Sequence, residues 1–92
     1  MKAFIDPTTQ VQFVESWTTE KPYKAILGTY ENSGRICQVE PDDKIFPISE
    51  PYFWVSCADG VTPETFWYDT VNQTINPIIN APYPAPSGVQ SV

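Results

Sequence analysis

Few residues in this chain are equipped for acid–base or nucleophilic chemistry. Eleven Asp and Glu stand beside five Lys and Arg, with two cysteines and no histidine. The side chain that ordinarily exchanges a proton near neutral pH is therefore missing. A cysteine nucleophile needs a base, a cation or a helix N-terminus to form its thiolate, and the sequence gives neither Cys37 nor Cys57 such a setting. Carboxylate pairs remain. Asp42 and Asp43 are adjacent, but neighbours on an extended chain point to opposite sides. Asp59 and Asp69 can meet only across a loop. The plainer reading of all four is turn formation, with each carboxylate accepting hydrogen bonds from nearby backbone. No glycine-rich phosphate loop or zinc spacing occurs, and two cysteines without histidine fall short of a metal-ligand set. The expectation is a non-enzymatic protein with no catalytic residue, no cofactor and no metal. Asn72-Gln73-Thr74 matches a glycosylation acceptor, which matters only for a secreted chain.

The chemistry that is plentiful is aromatic: three Trp, five Tyr and five Phe. Many of these rings fall in two runs, Tyr52-Phe53-Trp54 and Phe66-Trp67-Tyr68, separated by acidic and proline-containing turns. A buried ring removes roughly 150–250 Å² from water. Trp17, Trp54 and Trp67 therefore read as core or contact residues, with a shared platform for a sugar or a proline-rich peptide as the alternative. A sugar platform gains weight where Asp, Asn or Gln flank exposed rings; Asp69 beside Tyr68 is the near example.

Ninety-two residues make one domain. A chain of this size buries about 60–65% of its unfolded surface, which leaves a stability of roughly 5 kcal/mol. Assembly with copies or partners would add to it. The net charge of −6 is spread along the chain. Nucleic acid and anionic membrane are disfavoured as partners, and a basic protein surface is compatible. Cys37 and Cys57 are read as reduced, buried thiols or as one disulfide, a choice that geometry decides. No apolar stretch approaches the ~18 residues of a membrane span. The start, MKAFIDPTT, lacks the apolar core of a signal peptide, so synthesis and folding in a cytoplasm are expected.

The elements that must position these rings are short strands. Lys2–Asp6 reads as a first strand, ended by Pro7. Residues 10–17 alternate Val11, Phe13 and Glu15 against Gln12, Val14 and Ser16. Residues 23–31 and 35–40 flank Asn32-Ser33-Gly34, so residues 24–40 are expected to form a β-hairpin with Gly34 supplying a positive φ. Residues 44–48 read as a short edge strand carrying Pro47. Residues 52–57 read as a strand covered on both faces. Residues 66–69 and 74–79 are expected to pair as a hairpin. Residues 80–92, NAPYPAPSGVQSV, are proline-rich and uncharged. They form either a floppy tail or an extended polyproline-type arm that lies along a neighbouring subunit. The predicted fold is all-β: a small antiparallel sheet, sandwich or barrel of about six to seven short strands spanning 1–79, with an extended proline-rich C-terminal arm over 80–92.

One resemblance adds to this. The order RICQVE, FPISEPYFWVSCADGVTPETFWYD, NQTINPI and then a proline-rich end, over residues 35–84, is similar to a block in small structural proteins of tailed bacteriophages, of the capsid decoration or cement type. The N-terminal third is outside it. The resemblance implies a virion protein made in the host bacterial cytoplasm and present in multiple copies or as a homo-oligomer. Its partners would be the major capsid protein or other virion proteins, and it would bind neither nucleic acid nor membrane. It supplies no active-site residues. With it, the residues expected to anchor contacts are Trp54, Trp67, Tyr68, Tyr83 and Pro84, and the alternative is a minor tail or fibre-associated module that recognises a glycan or host surface.

Overall fold

The computed structural model describes residues 1–84. Those residues form an all-β protein of seven strands: β1 Lys2–Asp6, β2 Val11–Trp17, β3 Ala25–Tyr30, β4 Ser33–Glu40, β5 Phe53–Ser56, β6 Phe66–Asp69 and β7 Thr74–Pro77. Five strands make an antiparallel sheet in the order β5-β1-β4-β6-β7, curled into a half-barrel. β2 and β3 pair antiparallel as a second, two-stranded sheet.

The strand period of two builds the core. In β1, Ala3 and Ile5 point inward and are fully buried, while Lys2, Phe4 and Asp6 take the other face. β1 lies between β4 and β5, with Phe4 opposite Gln38 on one side and Trp54 on the other. Ile36 of β4, Tyr68 of β6 and Val61 of the intervening loop complete a compact apolar centre, against which Phe53, Val55, Phe66 and Ile75 pack. β6 and β7 form the expected hairpin, with Trp67 opposite Asn76. Its turn carries Gln73 at φ 58°, in the left-handed region.

Three expectations are corrected. Residues 24–40 are not a hairpin. β3 pairs with β2, and both edges of β4 are already occupied, by β1 and β6. Gly34 has no positive φ; it lies in β4, where an added Cβ would come within 3.1 Å of the Ile5 Cγ2 and 3.2 Å of the backbone at Asp6 and Pro7. Glycine there answers a close approach between β4 and the end of β1, not a turn. The strand read over 44–48 is also absent. Asp42–Lys44 is a 3-10 turn closed by Lys44 N–H to Pro41 C=O at 2.9 Å, and the following segment is an irregular strap. Cys37 and Cys57 are both free, in line with the reduced-thiol reading, but half-buried rather than buried.

β2 keeps its alternation only in part. Its register with β3 slips between Val14 and Ser16, so the two ends present different faces. Residues 80–84 of the expected arm run beside β2 of the same chain. The remainder of the arm, 85–92, lies outside the described residues.

Candidate functional site

Rings outside the centre gather in three clusters, each made by a different pairing. The first sits where β1 and β5 pair. Phe4 meets Trp54 edge-on at 5.4 Å and lies 5.6 Å from Tyr52 and 6.2 Å from Phe46, and Phe46 meets Trp54 edge-on at 5.3 Å. The strap brings Phe46 there, because Trp54 Nε1 donates to the Phe46 carbonyl at 2.9 Å. The expected cover of β5 on both faces holds only in part: the core backs Phe53 and Val55, but on the other face the strap covers Trp54 alone, and Tyr52 and Ser56 are exposed. Around these rings runs a shallow cleft of about 510 Å³ with Ile45, Phe46 and Tyr52 exposed at its mouth. It adjoins the outer edge of β5, which no strand among the described residues pairs with.

The second cluster joins the two sheets. Tyr30 stacks on Trp67 at 4.1 Å and 6°, and on Phe13 at 4.5 Å and 29°. Phe13 lies opposite Gly28, where an added Cβ would stand 2.6 Å from the ring, so glycine leaves the space the ring occupies. Ser33 ties the sheets further. Its buried hydroxyl accepts from Val11 N–H at 2.8 Å and donates to the Tyr30 carbonyl. Below Trp67 the turn is held by Asp69, whose carboxylate accepts from the N–H groups of Val71 and Asn72 and from Asn72 Nδ2, each at 2.9 Å. These bonds, led by the Asn72 N–H, hold the Asp69 carboxyl below its ordinary value.

The third cluster is built by residues 79–83. Ala81 N–H donates to the Val14 carbonyl at 2.8 Å, Val14 N–H to Asn80 Oδ1 at 2.7 Å, and Trp17 Nε1 to the Ala81 carbonyl at 3.0 Å. Tyr83 then stands edge-on to Trp17 at 5.0 Å and Tyr23 at 5.6 Å.

The three tryptophans are therefore in separate clusters and form no shared platform. Of the residues singled out as contact anchors, Trp54 and Trp67 are half-buried in the first and second clusters, and Tyr83 is 57% exposed in the third. Pro84 follows it, half-buried. Tyr68 belongs to the buried centre, edge-on to Phe53 at 5.5 Å, and burial pushes its hydroxyl pKa up. Asp42 and Asp43 sit in the 3-10 turn, and no hydrogen bond joins Asp59 to Asp69 among the described residues. Burial likewise raises the Cys57 thiol pKa. Among the described residues, no group of His, Cys, Asp and Glu is able to hold a metal and no helix is long and apolar enough to cross a membrane. Phe4, Phe13, Tyr30, Phe46 and Ser33 were not singled out by sequence. The signal that finds Phe13 and Tyr30 is the β2–β3 pairing, which places a phenylalanine across from Gly28.

Comparison with family models, with curated proteins and with solved structures gives no match.

Proposed function

We propose that this chain is a non-enzymatic structural protein of a tailed phage particle, a capsid decoration or cement protein that stabilises contacts between capsomers. The observation that carries the proposal is the first aromatic cluster. Phe46, Tyr52 and Ile45 are exposed together beside Trp54, next to an open sheet edge. Exposed rings in one patch are the kind of surface that a partner covers, and an open edge accepts an added strand. The occupant we propose is the major capsid protein. The sequence resemblance to small phage virion proteins supports the particle, and the acidic charge of −6 suits a basic surface on it. Adhesion of this kind asks for area and anchors rather than a reaction centre.

A gel of purified particles with quantified band intensities tests the reading. The expected result is a copy number comparable with the major capsid protein. Absence from the particle contradicts the reading, and a handful of copies points to the tail instead.

A further inference from the structure

We infer that the cleft beside the Tyr30–Trp67 stack is a binding site for a neutral glycan. The cleft measures about 460 Å³ and brings together two kinds of surface. One wall is aromatic: the stacked rings of Phe13, Tyr30 and Trp67 all line it. The rim is polar, with Glu31, Asn32 and Asn72 lining it. A pyranose has the matching duality. Its axial C–H groups form an apolar face that packs on the electron-rich face of an aromatic ring. Its equatorial hydroxyls leave in the plane of the sugar, where carboxylates and amides can bond them.

The rim groups divide into fixed and free ones. Asp69 and Asn72 hold each other, so the floor of the rim is set before any ligand arrives. The carboxylate of Glu31 and the side-chain amide of Asn32 are exposed and take part in no side-chain hydrogen bond or ion pair among the described residues; only their backbone carbonyls are used. The Glu31 carboxylate can accept from one hydroxyl of a vicinal diol while the Asn32 amide N–H donates to the next.

Charge narrows the class. The lining holds Glu31 and Asp69 and no Lys or Arg, so sialylated, sulfated or phosphorylated sugars meet like charge. The other two clusters lack the combination: the first is lined by apolar and ring residues, and in the third the Trp17 indole N–H is already bonded to Ala81. A proline-rich peptide would seek parted rings with a groove between them, whereas this stack is nearly parallel and closed. The inference stands apart from the particle reading, and failure of either leaves the other intact.

The test is a glycan array followed by titration with tryptophan fluorescence. The probes are neutral oligosaccharides ending in glucose, galactose, mannose or N-acetylglucosamine, with sialylated and sulfated counterparts. The expected result is saturable binding of a neutral glycan and weaker binding of its acidic counterpart. The Glu31→Ala/Asn32→Ala double variant, changed only at exposed positions, should bind about tenfold more weakly or worse. Trp67→Ala should bind nothing. The inference is overturned if no neutral glycan binds at about millimolar concentration, if acidic glycans bind best, or if the double variant binds like the parent. Displacement of the sugar's fluorescence change by a proline-rich peptide of higher affinity also overturns it.

Discussion

The five-stranded half-barrel and the β2–β3 hairpin are held by different forces. The half-barrel buries Ala3, Ile5 and Ile36 almost completely, and its strands pair on both sides of β1, β4 and β6. The hairpin buries no residue of its own: Ile26 and Leu27 of β3 are 46% and 54% exposed. It is fixed instead by the Tyr30–Trp67 stack, by the Ser33 hydroxyl and by residues 79–83 along β2. Apolar burial is non-directional and tolerant, whereas a few polar and ring contacts concentrate stability in single groups. The hairpin should therefore open at lower free energy than the half-barrel.

Changes in the centre should have the largest effect and reach both regions. Ile5→Ala should cost about 2–5 kcal/mol in denaturant unfolding, with protection against hydrogen exchange lost throughout. Gly34→Ala follows, at about 1–3 kcal/mol, because backbone at Asp6 and Pro7 stands in the way of its Cβ. Ser33→Ala should cost about 1–3 kcal/mol by leaving the Val11 N–H without its partner. Its effect on exchange should fall mainly on β2 and β3. Equal loss in the half-barrel would make the two regions one cooperative unit and erase the comparison.

Smaller effects sharpen the picture at the hairpin's outer edge. Trp17→Phe keeps a ring against Tyr83 but removes the bond to Ala81, at about 0.5–1.5 kcal/mol. Faster exchange of the Ala81 N–H, with β1 unchanged, is the expected readout. The mildest change comes with pH. Hydrogen bonds hold Asp6 and Asp69 below the ordinary carboxylate value of 3.8, led by the Thr8 hydroxyl for Asp6 and the Asn72 N–H for Asp69. A lowered folded-state pKa gives stability that is present above the unfolded value and lost as pH falls through the folded one. Thermal melts should therefore weaken below about pH 4. In Asp6→Asn and Asp69→Asn that weakening should be smaller.

The sequence made the half-barrel more legible than the hairpin. β1 follows from Lys2–Asp6 ended by Pro7, and β6 and β7 from two short runs on either side of the turn at Asn72-Gln73, features that are local in the chain. Pairing partners are not local. Asn32-Ser33-Gly34 has the composition of a hairpin turn, but what it does is carry the chain from one sheet to the other, with Ser33 as the buried tie and Gly34 as the close approach. Once β3 is assigned to β4, Phe13 and Tyr30 fall apart and the ring stack cannot be seen. The strap over Trp54 was hidden for another reason. Residues 44–48 carry the apolar content of a short edge strand, but Pro47 has no N–H to pair, and the strap is held by a side-chain bond from Trp54 that no pattern encodes. Several residues that line the proposed glycan cleft stand out singly in the sequence, Trp67, Asp69 and Asn72 among them, but their convergence with Phe13, Tyr30 and Glu31 depends on the β2–β3 pairing.

The central claim is that the rings around Trp54 are exposed so that a neighbour can cover them. Hydroxyl-radical footprinting of Phe46, Tyr52 and Trp54, in the free chain and in assembled particles, tests this most directly. The account predicts strong labelling of Phe46 and Tyr52 in the free chain and marked protection in the particle. Equal labelling in both states would contradict it.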